Sequence, residues 1–162
     1  MIRDAVATDA EAVAAIWNHV IRDTVATFNS VEKPVAEVAN LIDSRQAAGR
    51  CFLVWEEDGQ IFGFVTYDQF RGGHGYRLTM EHTVQLAPAA WGKGVGRALM
   101  AAMEQHAMQA GVHAMIAGVS GENEAGRAFH ARLGYELVAT LPEVGHKFGR
   151  FMKLFLMQKF LT

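Results

Sequence analysis

An acidic side chain and a glycine-rich turn lie close together in the middle of the chain. The stretch EHTVQLAPAAWGKGVGRALM begins at Glu81 and places three glycines, Gly92, Gly94 and Gly96, eleven to fifteen residues later. A carboxylate can accept a proton from a reacting group. Glycines let the backbone approach a ligand closely, and the free amides at the start of a helix attract phosphate groups. These residue types suggest a phosphate-binding turn beside a candidate general base.

The turn GKGVGR differs from two familiar phosphate-binding motifs. The dinucleotide fingerprint G-x-G-x-x-G/A fails, because its last position holds Arg97 when counted from Gly92 and Leu99 when counted from Gly94. The Lys-Ser/Thr ending of a P-loop is also missing. Lys93 and Arg97 nevertheless add positive charge. The turn therefore either binds a pyrophosphate group or is a plain connection between a strand and a helix.

The residues alone leave two interpretations for Glu81. A charged side chain within an apolar strand usually has a partner or a function. Alternatively, Glu81 is a sheet residue that faces water, since the odd-numbered residues form a polar face, Thr79, Glu81, Thr83 and Gln85. His82 falls on the apolar face, where it either binds a backbone group in the core or assists proton removal.

The elements predicted around these residues alternate between strands and helices. Hydrophobic periodicity and turn residues predict the order β-α-α-β-β-β-α-β-α-β-β. The dipeptide Asp58-Gly59 predicts a hairpin. A strand that leads through the glycine turn to a helix and a further strand is a βαβ unit, so part of the sheet should be parallel. We predict one layered α/β (α+β) domain over residues 1–162.

Composition narrows the class of protein. The chain has 162 residues, 51% of them hydrophobic, a net charge of −2 and one cysteine, Cys51. The chain lacks the excess of basic residues that would indicate nucleic-acid binding. It also lacks an apolar run that would suggest a signal peptide or a membrane span. A lone cysteine cannot form an internal disulfide, which fits a reducing compartment. We expect a cytoplasmic protein that binds neither membranes nor nucleic acid. The histidines lack the spacing of a metal site, so we expect no metal.

The segment WGKGVGRAL, between a strand and a helix, resembles the acetyl-CoA motif of the GNAT N-acetyltransferases, whose core is Arg/Gln-x-x-Gly-x-Gly/Ala. Gly94 and Gly96 fill the glycine positions, whereas Trp91 stands where the family usually has Arg or Gln. Four longer segments resemble the branch that contains phosphinothricin acetyltransferase and the methionine sulfoximine/methionine sulfone acetyltransferases: IWNHVIRDTVATF, YRLTMEHTVQL, NEAGRAFHARLGY and EVGHKFGRFMKLFLMQKFL. Within them, the segment VGHKFGR is by itself sufficient to distinguish this branch from most GNATs.

This resemblance implies a GNAT fold, with a mixed central sheet of about seven strands flanked by about four helices. It also implies a bulge in the strand that carries Glu81. The implied activity is direct transfer of acetyl, in a ternary complex, from the co-substrate acetyl-CoA to the α-amine of a small amino-acid analogue. Enzymes of this branch are commonly homodimers.

The resemblance further assigns roles to individual residues. Glu81 matches the family's proposed base, and His130 stands where many GNATs have a Tyr that protonates the departing CoA thiolate. The implied cofactor-binding residues are Val84, Gln85, Leu86, Gly92, Lys93, Gly94, Val95, Gly96, Arg97 and Asn123. The implied substrate-binding residues are Phe28, Arg71, Tyr76, Glu81 and His82. The segment Val144 to Arg150 could reach the same pocket or serve only a dimer interface.

Simpler interpretations stand beside these roles. Asn123 could be only a helix cap, His130 a histidine on a helix surface, and Arg71 a solvated loop residue. Two other functions also remain open: acetylation of a different amine, such as a polyamine or a peptide N-terminus, and CoA sensing without catalysis. The short loop QFRGGHG with Arg71 favours a small substrate that carries a carboxylate, and an intact Glu81 argues against a sensor.

Overall fold

Seven strands form one sheet in the computed structural model, which describes all residues from Met1 to Thr162. In chain order the elements are β1 (Ile2–Asp4), α1 (Ala10–Asp23), α2 (Val35–Ala47), β2 (Phe52–Glu57), β3 (Gln60–Gln69), β4 (Thr79–Leu86), α3 (Val95–Gln109), β5 (Ala114–Ser120), α4 (Glu124–Arg132), β6 (Glu136–Lys147) and β7 (Arg150–Phe160). This is the predicted element order, and the predicted fold with seven strands and four helices is confirmed.

The sheet is mixed, and its strand order is β1-β2-β3-β4-β5-β7-β6. Every neighbouring pair is antiparallel except β4 and β5, which are parallel and joined through α3. The predicted βαβ unit is therefore β4-α3-β5. The predicted hairpin at Asp58-Gly59 joins β2 to β3, and both turn residues have positive φ angles of 49° and 77°, as a two-residue hairpin turn requires.

Helices cover both faces of the sheet because successive strand residues point to opposite sides. On one face Phe52 and Phe64 stack with ring centroids 5.6 Å apart, and Trp17 of α1 packs on Phe64 at 4.9 Å. On the other face Leu99 and Met103 of α3 are fully buried against the sheet. The active-site candidates thus lie on a rigid layer that is held from both sides.

The two parallel strands separate part-way along their length. The pairing of β4 with β5 covers only Thr79 to Glu81, although β4 continues to Leu86. The pairing of β4 with β3 is continuous from Met80 to Leu86, without a register shift, so the expected bulge in this strand was wrong. The sheet opens because β5 diverges from β4, and no extra residue is inserted. The second half of β4 consequently has no strand neighbour on the β5 side.

Candidate active site

A cavity of about 500 Å³ lies where β4 and β5 separate. Its walls come from β3, β4 and β5, from α1, α2 and the loop between them, and from the start and the last turn of α4. Six of the residues predicted for the site line it together: Glu81, His82, Val84, Gln85, Asn123 and His130. Residues that are far apart in the chain therefore meet in one cleft.

Glu81 projects across the gap toward β5. A Cβ atom at position 118 would lie 2.7 Å from Glu81 Oε2, so only the glycine found there leaves room for the carboxylate. Glu81 is partly buried and has no cationic partner, and burial raises the pKa of its carboxyl above the ordinary value. A desolvated carboxylate in an open cleft is well suited to accept a proton.

A second carboxylate, that of Asp68, lies beside Glu81. The two residues are paired directly across β3 and β4, so their side chains share one face of the sheet. Asp68 is neutralised by two arginines: its Oδ2 is 3.5 Å from Arg45 Nε, and Arg50 contacts its Oδ1. Glu81 is therefore the carboxylate of this pair that is left without a counter-ion.

His82 and His130 form a hydrogen-bonded pair whose tautomers follow from their partners. Nδ1 of His130 lies 2.7 Å from the carbonyl oxygen of Gly126, which can only accept, so Nδ1 must carry a hydrogen. Nε2 of the neutral ring then accepts the hydrogen of His82 Nε2, 3.1 Å away. Nδ1 of His82 is left as a buried acceptor without a partner.

Burial disfavours the charged form of both rings. It lowers the pKa of His82 to about 3, with a smaller contribution from a charge on His130, and it lowers the pKa of His130 as well. His130 is only 7% exposed, so it is not the surface histidine offered as its simpler interpretation. Both of its nitrogens are engaged, and it has no free N–H to donate.

The glycine turn lies at the start of α3, outside the cavity wall. Gly92 and Gly94 have φ angles of 72° and 79°, which other residues adopt only with strain, and no atom lies within 4 Å of where their Cβ atoms would be. The first amides of α3 have no intrahelical partner. With the charges of Lys93 and Arg97, this turn fits a pyrophosphate group.

The third glycine of the turn serves packing. Gly96 is buried, and a Cβ atom there would lie 3.3 Å from Phe129 and 3.4 Å from Leu86. Because Gly96 has no Cβ atom, α3 can approach α4 and β4 closely. The unpaired edge of β4, from His82 to Leu86, leads from the turn back to Glu81 and can pair with amide groups of a bound pantetheine arm.

Comparison with known proteins identifies the family of this chain. Residues 14–135 match the model of the acetyltransferase (GNAT) family. The chain belongs to the GNAT family.

Named relatives of this GNAT chain match it along most of its length. An L-methionine sulfoximine/L-methionine sulfone acetyltransferase of Salmonella typhimurium is 36% identical over 97% of this chain and 92% of its own. A phosphinothricin N-acetyltransferase of Alcaligenes faecalis is 34% identical over 93% of this chain and 77% of its own. A solved acetyltransferase from Salmonella typhimurium with its cofactor acetyl-CoA is 36% identical and has a TM-score of 0.97, over 100% of this chain and 94% of that one.

Asn123 serves as a helix cap in this GNAT chain and also lines the cavity. Its Oδ1 accepts a hydrogen bond of 2.9 Å from the amide of Gly126, which caps α4. It also stands in the cavity wall, across the cleft from the β4 backbone. The cap interpretation is thus confirmed, and the position remains compatible with the predicted contact to CoA.

Other predicted residues lie outside the cavity wall. Arg71 is exposed on the loop before β4, with its guanidinium 5.8 Å from the ring centroid of Tyr76, which is 42% exposed. Phe28 packs on Gly145 of β6. Conversely, the cavity wall includes residues that the sequence analysis did not single out for the site, Trp17, Lys33, Arg45 and Asp68. Trp17 lies within the segment IWNHVIRDTVATF that carries the family resemblance, but no motif marks the other three.

Two further properties bear on the class of protein. None of the four helices combines the length and the apolarity that are needed to cross a membrane. No group of three or more His, Cys, Asp or Glu side chains is arranged so that it could hold a metal ion.

We predict that His82 stays neutral in mildly acidic solution. Nitrogen NMR should find hydrogen on Nε2 of His82 and on Nδ1 of His130, with a neutral imidazole for His82 at pH 5.5. In the unfolded chain this histidine has a pKa of about 6.5 and is protonated at pH 5.5, whereas native His82 stays neutral. The contribution of His82 to the free energy of unfolding should therefore be about 1.4 kcal/mol lower at pH 5.5 than at a pH well above 6.5. The variant His82→Gln should lack this loss, and a charged His82 at pH 5.5 would contradict the assignment.

Proposed function

We propose that this chain, as one domain over residues 1–162, transfers the acetyl group of acetyl-CoA to the α-amine of a small amino-acid analogue of the phosphinothricin, methionine sulfoximine or methionine sulfone type. The observation that carries the proposal is the desolvated carboxylate of Glu81 in the cleft between β4 and β5. The names of relatives that are 34% and 36% identical support the class of substrate.

Backbone groups of β4 and of the start of α3 bind the co-substrate. Acetyl-CoA supplies an acetyl group that is already activated as a thioester. The unpaired edge of β4, including Val84, Gln85 and Leu86, pairs with the amides of its pantetheine arm. The amides that begin α3, together with Lys93, hold its pyrophosphate. Trp91, at the position where the family usually has Arg or Gln, is 60% exposed beside this turn and carries no charge. Lys93 and Arg97 therefore make the charged contacts to the pyrophosphate.

Proton removal falls to Glu81. An amino-acid ammonium group cannot attack a carbonyl until it loses a proton, and a carboxylate oxygen of Glu81 accepts that proton directly or through one water. The raised pKa of Glu81 makes it a stronger base than an exposed glutamate. Since only its ionised form accepts a proton, turnover should rise with pH through the pKa of Glu81.

His130 was also expected to act as an acid toward the departing sulfur, and this stays a prediction. Its ring lines the cavity, but its Nδ1 hydrogen is bound to Gly126 and its Nε2 accepts from His82. A neutral imidazole in this state is a weak donor. Donation by His130 therefore requires the pair to gain a proton first, whereas water can protonate the sulfur without that step.

We predict acetyl-CoA turnover with methionine sulfone, methionine sulfoximine or phosphinothricin, and none with the corresponding amines that lack the α-carboxylate. Release of free thiol from acetyl-CoA measures the reaction. If no amino acid of the panel is acetylated while polyamines or peptide N-termini are, the substrate is a different amine. Acetyl-CoA binding without turnover on any amine would indicate a sensor.

Glu81→Gln is the matched test of the base. Its neutral amide keeps the size of the side chain and cannot accept the proton, so kcat should fall by about 10²-fold or more and lose its rise with pH. The control is Glu11→Gln, which removes an exposed carboxylate on the surface of α1 and should leave turnover unchanged. If Glu81→Gln keeps the wild-type pH profile, Glu81 is not the base.

Arg71 remains the proposed receptor for the substrate carboxylate, although it is exposed and does not line the cavity. It follows Gln69, which lines the cavity and whose Nε2 donates to the carbonyls of Arg71 and Gly73 at 2.7 and 2.8 Å. Arg71 has no carboxylate partner in this chain, whereas Arg45 inside the cavity is paired with Asp68. A guanidinium that is free of ion pairs can bind a carboxylate through two parallel hydrogen bonds.

For Arg71→Gln we expect KM for the amino substrate to rise by about 10-fold to 100-fold, since a charge-assisted bond is worth roughly 1.5 to 3 kcal/mol. The KM for acetyl-CoA should not change. Arg77→Gln removes another exposed arginine from the same loop and serves as the control. Equal effects of the two substitutions would mean that the loop contributes only its overall charge.

We also propose that the enzyme is a cytoplasmic homodimer. The single cysteine is buried and free, which fits a reducing compartment. Strand β6 is an edge of the sheet, and the hairpin that it forms with β7 exposes a set of large apolar side chains, Leu137, Val138, Leu141, Val144, Phe148 and Phe151. An exposed apolar strip of this kind is typical of a surface that another protein covers.

Sedimentation equilibrium should give twice the chain mass for the wild type. The double variant Val144→Lys and Phe151→Lys should sediment as a monomer, because it places charges on the proposed interface. Met108→Lys is the control, since Met108 is 49% exposed but lies on α3, outside the hairpin of β6 and β7. A monomeric wild type, or a dimer that survives the double substitution, would exclude this interface.

A further inference from the structure

The tip of the β6–β7 hairpin contacts the loop that forms one wall of the cavity. The tip carries the segment VGHKFGR, in which Lys147 and Arg150 are paired across the two-residue turn Phe148-Gly149. The loop runs from Thr24, where α1 ends, to Lys33 near the start of α2. The function proposed above gives this segment only exposed apolar residues of the dimer interface and no task at the cavity.

Lys147 is the most unusual residue of the tip, because its charged side chain is only 3% exposed. Its Nζ donates to the carbonyl oxygens of Thr24 and Thr27, at 2.6 and 2.9 Å, and it has no carboxylate partner. Burying an ammonium group is costly unless its hydrogen bonds are satisfied, and burial lowers the pKa of Lys147. The Thr24 carbonyl lies at the C-terminal end of α1, where the helix dipole favours a cation.

A second contact holds the same loop from the hairpin side. Phe28 packs on Gly145, and a Cβ atom at that position would lie 2.5 Å from the phenylalanine ring. The loop is therefore attached to β6 by two polar bonds and one aromatic contact. Its neighbouring residues Ala26, Thr27, Asn29 and Lys33 face the cavity.

The other side of the tip contacts the opposite wall. Arg150 on β7 forms a two-pronged ion pair with Glu122, with Nη2–Oε1 and Nε–Oε2 distances of 2.5 and 3.3 Å. Glu122 precedes Asn123, which lines the cavity and caps α4. The hairpin tip thus joins the loop on one side of the cleft to the start of α4 on the other.

We propose that Lys147 is a positioning residue that holds the loop from Thr24 to Lys33 against the cavity, and that the segment VGHKFGR thereby sets the affinity for the amino substrate. Lys147 does not touch the substrate; it acts through the backbone of Thr24 and Thr27. The part of this proposal that concerns affinity rests on the proposed function.

Lys147→Met tests the proposal with two independent measurements. Without substrate, hydrogen exchange of the amides between residues 25 and 33 should become about 10-fold faster or more, because the loop loses both polar bonds. With substrate, KM for the amino substrate should rise by about 10-fold while kcat and the KM for acetyl-CoA stay within about 3-fold, since only the substrate wall is loosened.

Two further variants keep the test decisive. Lys153→Met removes an exposed lysine from β7 whose ammonium group makes no hydrogen bond, and it should change neither measurement. Gly145→Ala pushes on Phe28 from the hairpin side, so it should disturb the same loop while Lys147 is intact. If Lys147→Met does not fold, Gly145→Ala decides the question through the same two measurements.

The possible results separate this inference from the proposed function. If the wild type acetylates no amino acid, the proposed function fails, while faster exchange of the loop in Lys147→Met still supports its attachment to the hairpin. Unchanged exchange of the loop overturns the positioning role of Lys147. Faster exchange without a rise in KM for a substrate that the wild type does acetylate overturns the role in affinity.

Discussion

The divergence of β5 from β4 beyond Glu81 is the constraint on which the rest of the site depends. Backbone amides and carbonyls inside a sheet are normally paired, and unpaired ones must find another partner. Here the second half of β4 faces an open cleft. The same divergence places the carboxylate of Glu81 at the point where pairing ends. One irregularity of the sheet therefore provides both the binding edge and the position of the proton acceptor.

Burial without a counter-charge is a recurring feature of the ionisable groups around this cleft. Glu81 is desolvated and has no cation beside it, while Asp68 on the neighbouring strand takes two arginines. Burial disfavours the charged forms of His82 and His130, whose rings are hydrogen-bonded to each other. Lys147 is buried against carbonyl groups alone. Because desolvation disfavours charge, only Glu81 among the cavity groups combines an open approach with an increased tendency to bind a proton.

The walls of the cleft are held by elements that are distant in the chain. The loop after α1 is held by the hairpin of β6 and β7, and the start of α4 is tied to the same hairpin through Arg150 and Glu122. The last two strands therefore support a site to which they contribute no lining residue. The segment VGHKFGR therefore has a structural role within a single chain. It also presents exposed apolar residues to a second copy in the proposed dimer.

Local patterns in the sequence determined much of the fold. Hydrophobic periodicity, the Asp58-Gly59 turn and the glycine turn before α3 predicted the order of elements, the hairpin and the parallel unit, because each depends on residues that are neighbours in the chain. Resemblance to a family, and not spacing, singled out Glu81 and His130 as partners in one site. Tertiary structure alone decided that His130 bonds to His82, that two arginines pair with Asp68 beside Glu81, and that Lys147 bonds to the loop after α1. These contacts join residues 18 to 123 positions apart, and such pairs leave no local pattern because the packing of the strands and helices brings them together.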